Sequence, residues 1–385
     1  MKKSMLLVGA FLAVAAMAQA KEVVPAPVVV EEAPVQIVEK EVIVYRDKEE
    51  GFRPNGYVDL QYRYYGETEG NDLGTGWNET TKSHDNGWNP NNKYSRIQLM
   101  GNINMTENQS LEYRVRSYNS LDENTNAGSK SNGTETRLRY FYDHGYLGDS
   151  KVDLTSRLHY QNDADTDYQT VEYQARFDFA DYMFNNNVIK TDYFVLAPKY
   201  GYAWGDDNSS DYDNQLGVDL YTWHTLPWNF SVEFNLYTTQ HFYGQDHYFD
   251  GYDDKDDKEF TVDVEFYIYN TTNLYTNGNF SVDFVFEGGY DAYKWSDHKK
   301  FGTPAIDGKY GASALKGLED GVGKDDTKYE LYMTPAIQAN YAVSDNMTVY
   351  AAIGAEYRDW AVNNGHSASH WRWQPTAWAG FKTTF

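Results

Sequence analysis

The sequence has 385 residues, a formal net charge of −24, no cysteine, and 17% aromatic residues, among them 35 tyrosines. Without cysteine there is no disulfide, thiol nucleophile or thiolate metal site, and the acidic balance excludes a broad basic surface for nucleic acid. Beyond residue 20 no window approaches the roughly 18 apolar residues of a membrane helix, so composition leaves a polar secreted protein or a β-barrel.

Residues 1–20 have the three parts of an export signal. Lys2 and Lys3 give the positive start, Met5 to Met17 form a short apolar run, and Ala18-Gln19-Ala20 matches a small-x-small cleavage pattern. The run is too short for a membrane anchor. Cleavage after Ala20 leaves a chain starting at Lys21 and takes the net charge from −24 to about −26. Residues 21–55 are Val- and Glu-rich, broken by Pro25, Pro27 and Pro34, and show no sustained period. They read as an extended periplasmic segment; contact with cell-wall polymer or a neighbouring subunit is the alternative.

From residue 56 to 385 the period is two. Val58, Leu60, Tyr62 and Tyr64 fall on one face, Asp59, Gln61 and Arg63 on the other. Successive strand side chains point to opposite faces, so this is a strand with one apolar and one wet side. Ile97, Leu99 and Ile103 likewise oppose Arg96, Gln98, Asn102 and Asn104. Leu111, Tyr113 and Val115 oppose Glu112, Arg114 and Arg116. Leu138 and Tyr140 oppose Arg137 and Arg139; Leu158 and Tyr160 oppose Arg157 and His159; Val171 and Tyr173 oppose Glu172 and Arg176. Residues 193–204 are blurred, with Pro198 inside. Later apolar faces carry Leu216 and Val218, Val232 and Phe234, Val262 and Val264, Val282 and Phe284, Met333 and Ile337, Ala351 and Ile353, and Trp373 and Phe381. About fourteen segments of about ten residues result, the length that crosses an apolar band of roughly 25 Å when tilted.

The spacing between segments separates a barrel from a soluble β-sandwich, which also alternates. Connections 66–93, 119–134, 244–257, 294–326 and 359–369 are long, while 106–109, 145–150, the turn near Leu226-Pro227 and 344–346 are short. Short periplasmic turns alternating with longer extracellular loops predict an all-β, antiparallel, up-and-down transmembrane barrel. Two connections fit poorly: 162–167 is short for an outer loop, and 180–190 is long for an inner turn. An amphipathic last strand ending in the aromatic Phe385 suits a signal for the outer-membrane assembly machinery.

Several stretches resemble the major outer-membrane porin family of fusobacteria. They include Val42-Ile43-Val44-Tyr45-Arg46-Asp47 with Arg53-Pro54-Asn55-Gly56, Ser131-Asn132-Gly133 leading to Arg137-Leu138-Arg139, and Phe177-Asp178-Phe179-Ala180-Asp181-Tyr182. Glu287-Gly288-Gly289-Tyr290-Asp291 and the closing Trp371-Arg372-Trp373-Gln374-Pro375-Thr376-Ala377 continue the likeness, which runs from end to end and is weakest in the loops. The resemblance implies a fourteen-stranded general-diffusion porin, a homotrimer, and in some members adhesion to other bacteria or host surfaces.

The wet faces carry a charge pattern of their own. Arg63, Arg96, Arg114, Arg116, Arg137, Arg139, Arg157, Arg176, Arg358 and Arg372 all lie on them, and no arginine occurs between Arg176 and Arg358. Pairing of the last strand with the first joins these segments into one basic wall. Asp219, Glu233, Asp263, Glu265, Asp283, Glu287 and Glu330 form the opposite, acidic wall. The expectation is a transverse field across a water-filled lumen. The competing account is neutralisation of the basic wall by Asp59, Glu112, Glu135, Asp153, Glu172 and Asp178.

The loop around Asp250, Asp253, Asp254, Asp256 and Asp257 lacks the ligand spacing of a calcium hand and reads as a solvated acidic loop. The nine histidines are scattered and form no zinc motif. The reading therefore calls for no enzyme activity, cofactor or metal. The expected function is passive diffusion of small hydrophilic solutes and ions across an outer membrane, with that membrane's lipid as partner. The alternative is an adhesin whose loops bind bacterial or host surfaces and which conducts little.

Overall fold

In a computed structural model, residues 51–67, 77–78, 83–84, 93–121, 132–162, 168–205, 212–248, 255–297, 330–360 and 370–385 are described. The proposed signal, residues 21–50 and much of the long connections, Asp250, Asp253 and Asp254 included, lie outside them. Alternating β-branched, leucine and aromatic residues favour extended backbone. They form β1 (Asn55–Tyr65), β2 (Tyr94–Asn104), β3 (Gln109–Ser120), β4 (Asn132–Tyr146), β5 (Asp153–Asn162), β6 (Gln169–Asp178) and β7 (Lys190–Trp204). The second half contributes β8 (Tyr212–Thr225), β9 (Phe230–Tyr248), β10 (Lys255–Asn277), β11 (Phe280–Ser296), β12 (Glu330–Ser344), β13 (Met347–Trp360) and β14 (His370–Thr384).

Each strand pairs antiparallel with its sequence neighbours, and β1 also pairs with β14, from Tyr57↔Thr384 to Tyr65↔Thr376. The result is a closed barrel of fourteen strands. At the seam Gly56 and Phe385 exchange two backbone hydrogen bonds, each 3.1 Å. Closure removes the unpaired edge that hydrocarbon cannot solvate.

The polarity of the barrel is the inverse of a soluble core. Its outer face presents Leu60, Ile97, Leu99, Leu138, Leu158, Val218, Ile337 and Ile353, the last 64% exposed. Facing inward and buried are Gln98, Arg157, Gln174, Asp219, Asn235, Glu259 and Gln374. Apolar side chains that pack against nothing in the chain need an apolar solvent, and lipid is that solvent. Outward-facing aromatics gather at both ends. At the long-loop end Tyr202 stacks on Trp204 and Tyr212, and Tyr357 packs between Trp371 and Trp373 with centroids 5.0 and 4.6 Å away. At the other end stand Tyr142, Tyr182, Phe184, Trp228, Tyr275 and Phe280. Two such girdles bracketing an aliphatic band mark the interfaces of a bilayer.

The two poorly fitting connections keep their places. Strands β5 and β6 leave only residues 163–168 between them at the long-loop end. The long inner connection, 179–189, folds locally through a 3-10 turn at Ala180–Tyr182 and an Asn185↔Lys190 bridge. The expected loop 244–257 is corrected: β9 runs to Tyr248 and β10 starts at Lys255, so only 249–254 separate them. Their hydrogen bonding continues across a register shift between Phe242 and His247, where β9 advances five positions against two on β10, and this odd offset hides the alternation from a period-two reading. The blurred stretch 193–204 is strand throughout. Short turns use positive-φ residues as hairpin twist demands: Gly278 at φ 58°, and Trp228 and Asn229 each at 61°.

Ile353 sits midway along β13 on the lipid side. Ile353→Arg is expected to cost about 2–4 kcal/mol, the penalty for a guanidinium near the bilayer midplane. Urea unfolding of the liposome-refolded barrel measures it; a change within about 0.5 kcal/mol, as at an ordinary water-facing site, would contradict a lipid-facing position.

Candidate functional site

The inward face is where polar chemistry collects. Pairing in register places Arg63 opposite Arg96, Arg114 opposite Arg137, Glu112 opposite Arg139 and Arg139 opposite His159. With β13 and β14 joined to β1, the interior positions of Arg63, Arg96, Arg114, Arg116, Arg137, Arg139, Arg157, Arg176 and Arg358 form one continuous wall. The side chains of Arg372 and Glu330 lie outside the described set, although Arg372 pairs with Arg358 along the backbone.

Acids temper this wall without cancelling it. Glu135 takes Arg114 at 2.7 Å and Arg116 at 3.3 Å, so one carboxylate serves two guanidiniums. Arg116 Nε also donates to Gln98 Oε1 at 2.6 Å. Glu112 lies 3.9 Å from Arg139, and Glu356 takes Arg358 at 2.7 Å. Elsewhere guanidiniums lie on rings: Arg63 is 4.7 Å from the Trp378 centroid and 4.8 Å from that of Tyr65.

Asp219, Glu233, Asp263, Glu265, Asp283 and Glu287 stand on the interior faces of β8 to β11. Among the described side chains, the interior faces of β8 to β12 carry no lysine or arginine. Neutral groups hold several of these carboxylates. Tyr269 OH donates to Glu233 at 2.9 Å, Tyr332 OH to Glu287 at 2.6 Å, and the Asn273 and Asn340 amides to Asp283 at 2.7 and 2.6 Å. A neutral donor fixes a carboxylate and leaves its charge in place. Among the described side chains the two walls therefore differ in sign.

Between the walls, over β5 to β8, sits a buried polar ledge that sequence reasoning missed. Lys199 pairs with Asp219 at 2.8 Å, and Glu172 takes Arg157 at 2.8 Å. Gln174 donates to Asp219 at 2.8 Å and to Tyr221 OH at 3.0 Å, while Arg176 lies 4.4 Å over the Tyr221 ring. His159 Nδ1 is 3.8 Å from Glu172. The ledge has room because the interior residues of β7 beside Lys199 are Val195, Ala197, Gly201 and Ala203. Ala197 is fully covered. Small apolar residues facing inward are what blurred the alternation there and hid Lys199. Asp213, held by His241 at 2.7 Å, and Glu259, held by Tyr243 OH at 2.8 Å, extend the acidic side and were also missed.

The closed sheet and its two unlike faces define a membrane-spanning β-barrel with a charged interior. No family model and no curated protein matches the sequence. Among solved structures the chain is similar to a bacterial polysaccharide outer-membrane secretin, with 12% identity, TM-score 0.33, and coverage of 86% of this chain and 97% of that one. It is also similar to the outer-membrane channel DcaP of Acinetobacter baumannii, with 10% identity, TM-score 0.36, and coverage of 86% and 96%. A third is in-vitro folded OmpT of Vibrio cholerae in its trimer form, with 8% identity, TM-score 0.32, and coverage of 86% and 99%. The assignment of the barrel rests on its own strand pairing and face polarity.

Two outcomes follow for the interior. Asp219→Ala leaves Lys199 buried with Glu172 4.0 Å away, and breaking such a pair should cost about 3–5 kcal/mol in urea unfolding. Lys199→Met with Asp219→Leu should recover most of that loss; an additive double variant would contradict the pairing. Arg114→Gln with Arg116→Gln removes both guanidiniums from Glu135. Reversal potentials across a KCl gradient should then shift toward cations, the permeability ratio rising at least about twofold; an unchanged ratio would remove this wall from selectivity.

Proposed function

We propose that the chain is an outer-membrane porin, admitting small hydrophilic solutes and ions by passive diffusion through a charged, water-filled lumen. The observation that carries this reading is like charge placed opposite like charge. Arg63 faces Arg96 and Arg114 faces Arg137 across adjacent strands. Directly opposed like charges destabilise a sheet, so the ion pairs with Glu112, Glu135, Glu172 and Glu356 account for only part of the basic wall. A field across a water-filled passage accounts for the rest.

The dimensions suit a passage. Fourteen strands spaced about 4.8 Å apart and tilted about 40° enclose a cylinder about 28 Å across between backbones. Side chains reaching about 6 Å inward from each wall leave an opening of about 16 Å. The short connection 163–168 is too small to fold in as a constriction, so the ledge around Lys199 and Tyr221 narrows the lumen from the wall itself. In this reading the short turns are periplasmic, the signal is removed after Ala20, and Phe385 serves the assembly machinery. Membership of the fusobacterial major porin family and its homotrimer belong to the same proposal. The barrel performs no catalysis in it. The lone close Ser–His pair among the described residues, Ser156 and His144 at 2.9 Å, faces lipid, away from the lumen.

Refolded mature chain is expected to give stepwise conductance in planar bilayers and to admit small sugars into liposomes. A folded barrel that does neither, yet binds cells through its loops, would be the adhesin instead.

A further inference from the structure

One interior row of residues runs across seven strands in a single hydrogen-bonding register: Tyr193, Trp223, Glu233, Tyr267, Gly289, Tyr332 and Arg358. It starts near the short-turn end of β7 and reaches β12 near the long-loop end. Strands tilt in a barrel, so a row perpendicular to them spirals upward. Six steps of about 4.8 Å at a tilt of about 40° climb about 18 Å, most of the roughly 25 Å apolar band.

The rings along this row touch in sequence. Tyr193 and Trp223 centroids are 6.3 Å apart, and Trp223 stacks on Tyr269 at 5.1 Å with 19° between planes. Tyr269 meets Tyr267 at 6.2 Å, and Tyr267 meets Tyr332 at 6.3 Å. The last contact reaches over β11, where the row places Gly289. That backbone has φ 150°, and a Cβ there would lie 2.1 Å from the Phe266 carbonyl oxygen. Glycine is thus required by the close approach of the β10 backbone, and it places no side chain between Tyr267 and Tyr332. Tyr193, Trp223, Tyr267 and Tyr269 remain half-buried, with part of each surface open to the lumen.

The charge around the rings selects a ligand class. Glu233 and Glu287 lie against the spiral, held by Tyr269 OH at 2.9 Å and Tyr332 OH at 2.6 Å. The protein shows what such rings accept, because Arg358 lies 4.7 Å over the Tyr332 centroid at the upper end. Aromatic faces next to carboxylates attract ammonium and guanidinium groups, and partial desolvation strengthens the contact.

We propose that this spiral is a binding path for small organic cations, which pass from ring to ring through the pore. The inference rests on the porin reading and adds a preferred solute class to it. Putrescine and magnesium carry the same charge, so their comparison isolates the rings from the acidic wall. In single-channel recordings of the refolded chain, putrescine should halve the open current at a concentration about tenfold below that for magnesium or for neutral maltotriose. Trp223→Leu with Tyr269→Leu should abolish that difference and leave the response to magnesium in place. Trp223→Phe with Tyr269→Phe should retain the difference, and stands in if the leucine variant does not fold. Equal block by putrescine and magnesium, stronger block by maltotriose, or a leucine variant that behaves as the parent would overturn the path alone. Absence of any channel steps would overturn the porin reading, and the path with it.

Discussion

Everything in this structure depends on the backbone being satisfied without water. A peptide group in hydrocarbon finds no partner in the solvent, so each strand must have a neighbour on both sides. The β1–β14 seam meets that demand from Tyr57↔Thr384 to Tyr65↔Thr376, and Gly56 and Phe385 finish it. Once the sheet is closed, alternation does the rest. One set of side chains has only lipid to meet, and the other has only the interior.

The interior is organised as two different solutions to burying charge. On the basic side, guanidiniums share carboxylates or lie on aromatic faces, as Glu135 and Trp378 show. On the acidic side, tyrosine hydroxyls and asparagine amides hold carboxylates such as Glu233 and Asp283. Where the sides meet, Lys199 and Asp219 pair beneath Gln174 and Tyr221. The many tyrosines therefore have two places. Some stand in the outer girdles, ring in lipid and hydroxyl in water; others line the interior as donors and as faces.

Most of the fold was legible because period two is a local property. Val58 to Tyr64 announce their two faces without knowledge of any neighbour, and the same holds for Ile97 to Asn104. The number of strands followed from that. Register and bulges were not legible, since they depend on which residue a strand meets. The shift between Phe242 and His247 concealed the ends of β9 and β10. Small inward residues at Ala197 and Ala203 looked like a failed pattern, although they make room for the ledge. The aromatic spiral was invisible for the same reason: Tyr193, Trp223, Tyr267 and Tyr332 are far apart in sequence and are brought into one row by shear.

The central claim is that lipid meets one face of each strand and water the other. The chain contains no cysteine, so single cysteines along β2 report on this without background. In liposomes, Met100→Cys, Asn102→Cys and Asn104→Cys should react with a water-soluble maleimide small enough for the lumen. Ile97→Cys, Leu99→Cys and Ile103→Cys should stay protected until the bilayer is dissolved. Uniform labelling of all six, or protection in the opposite phase, would contradict the account.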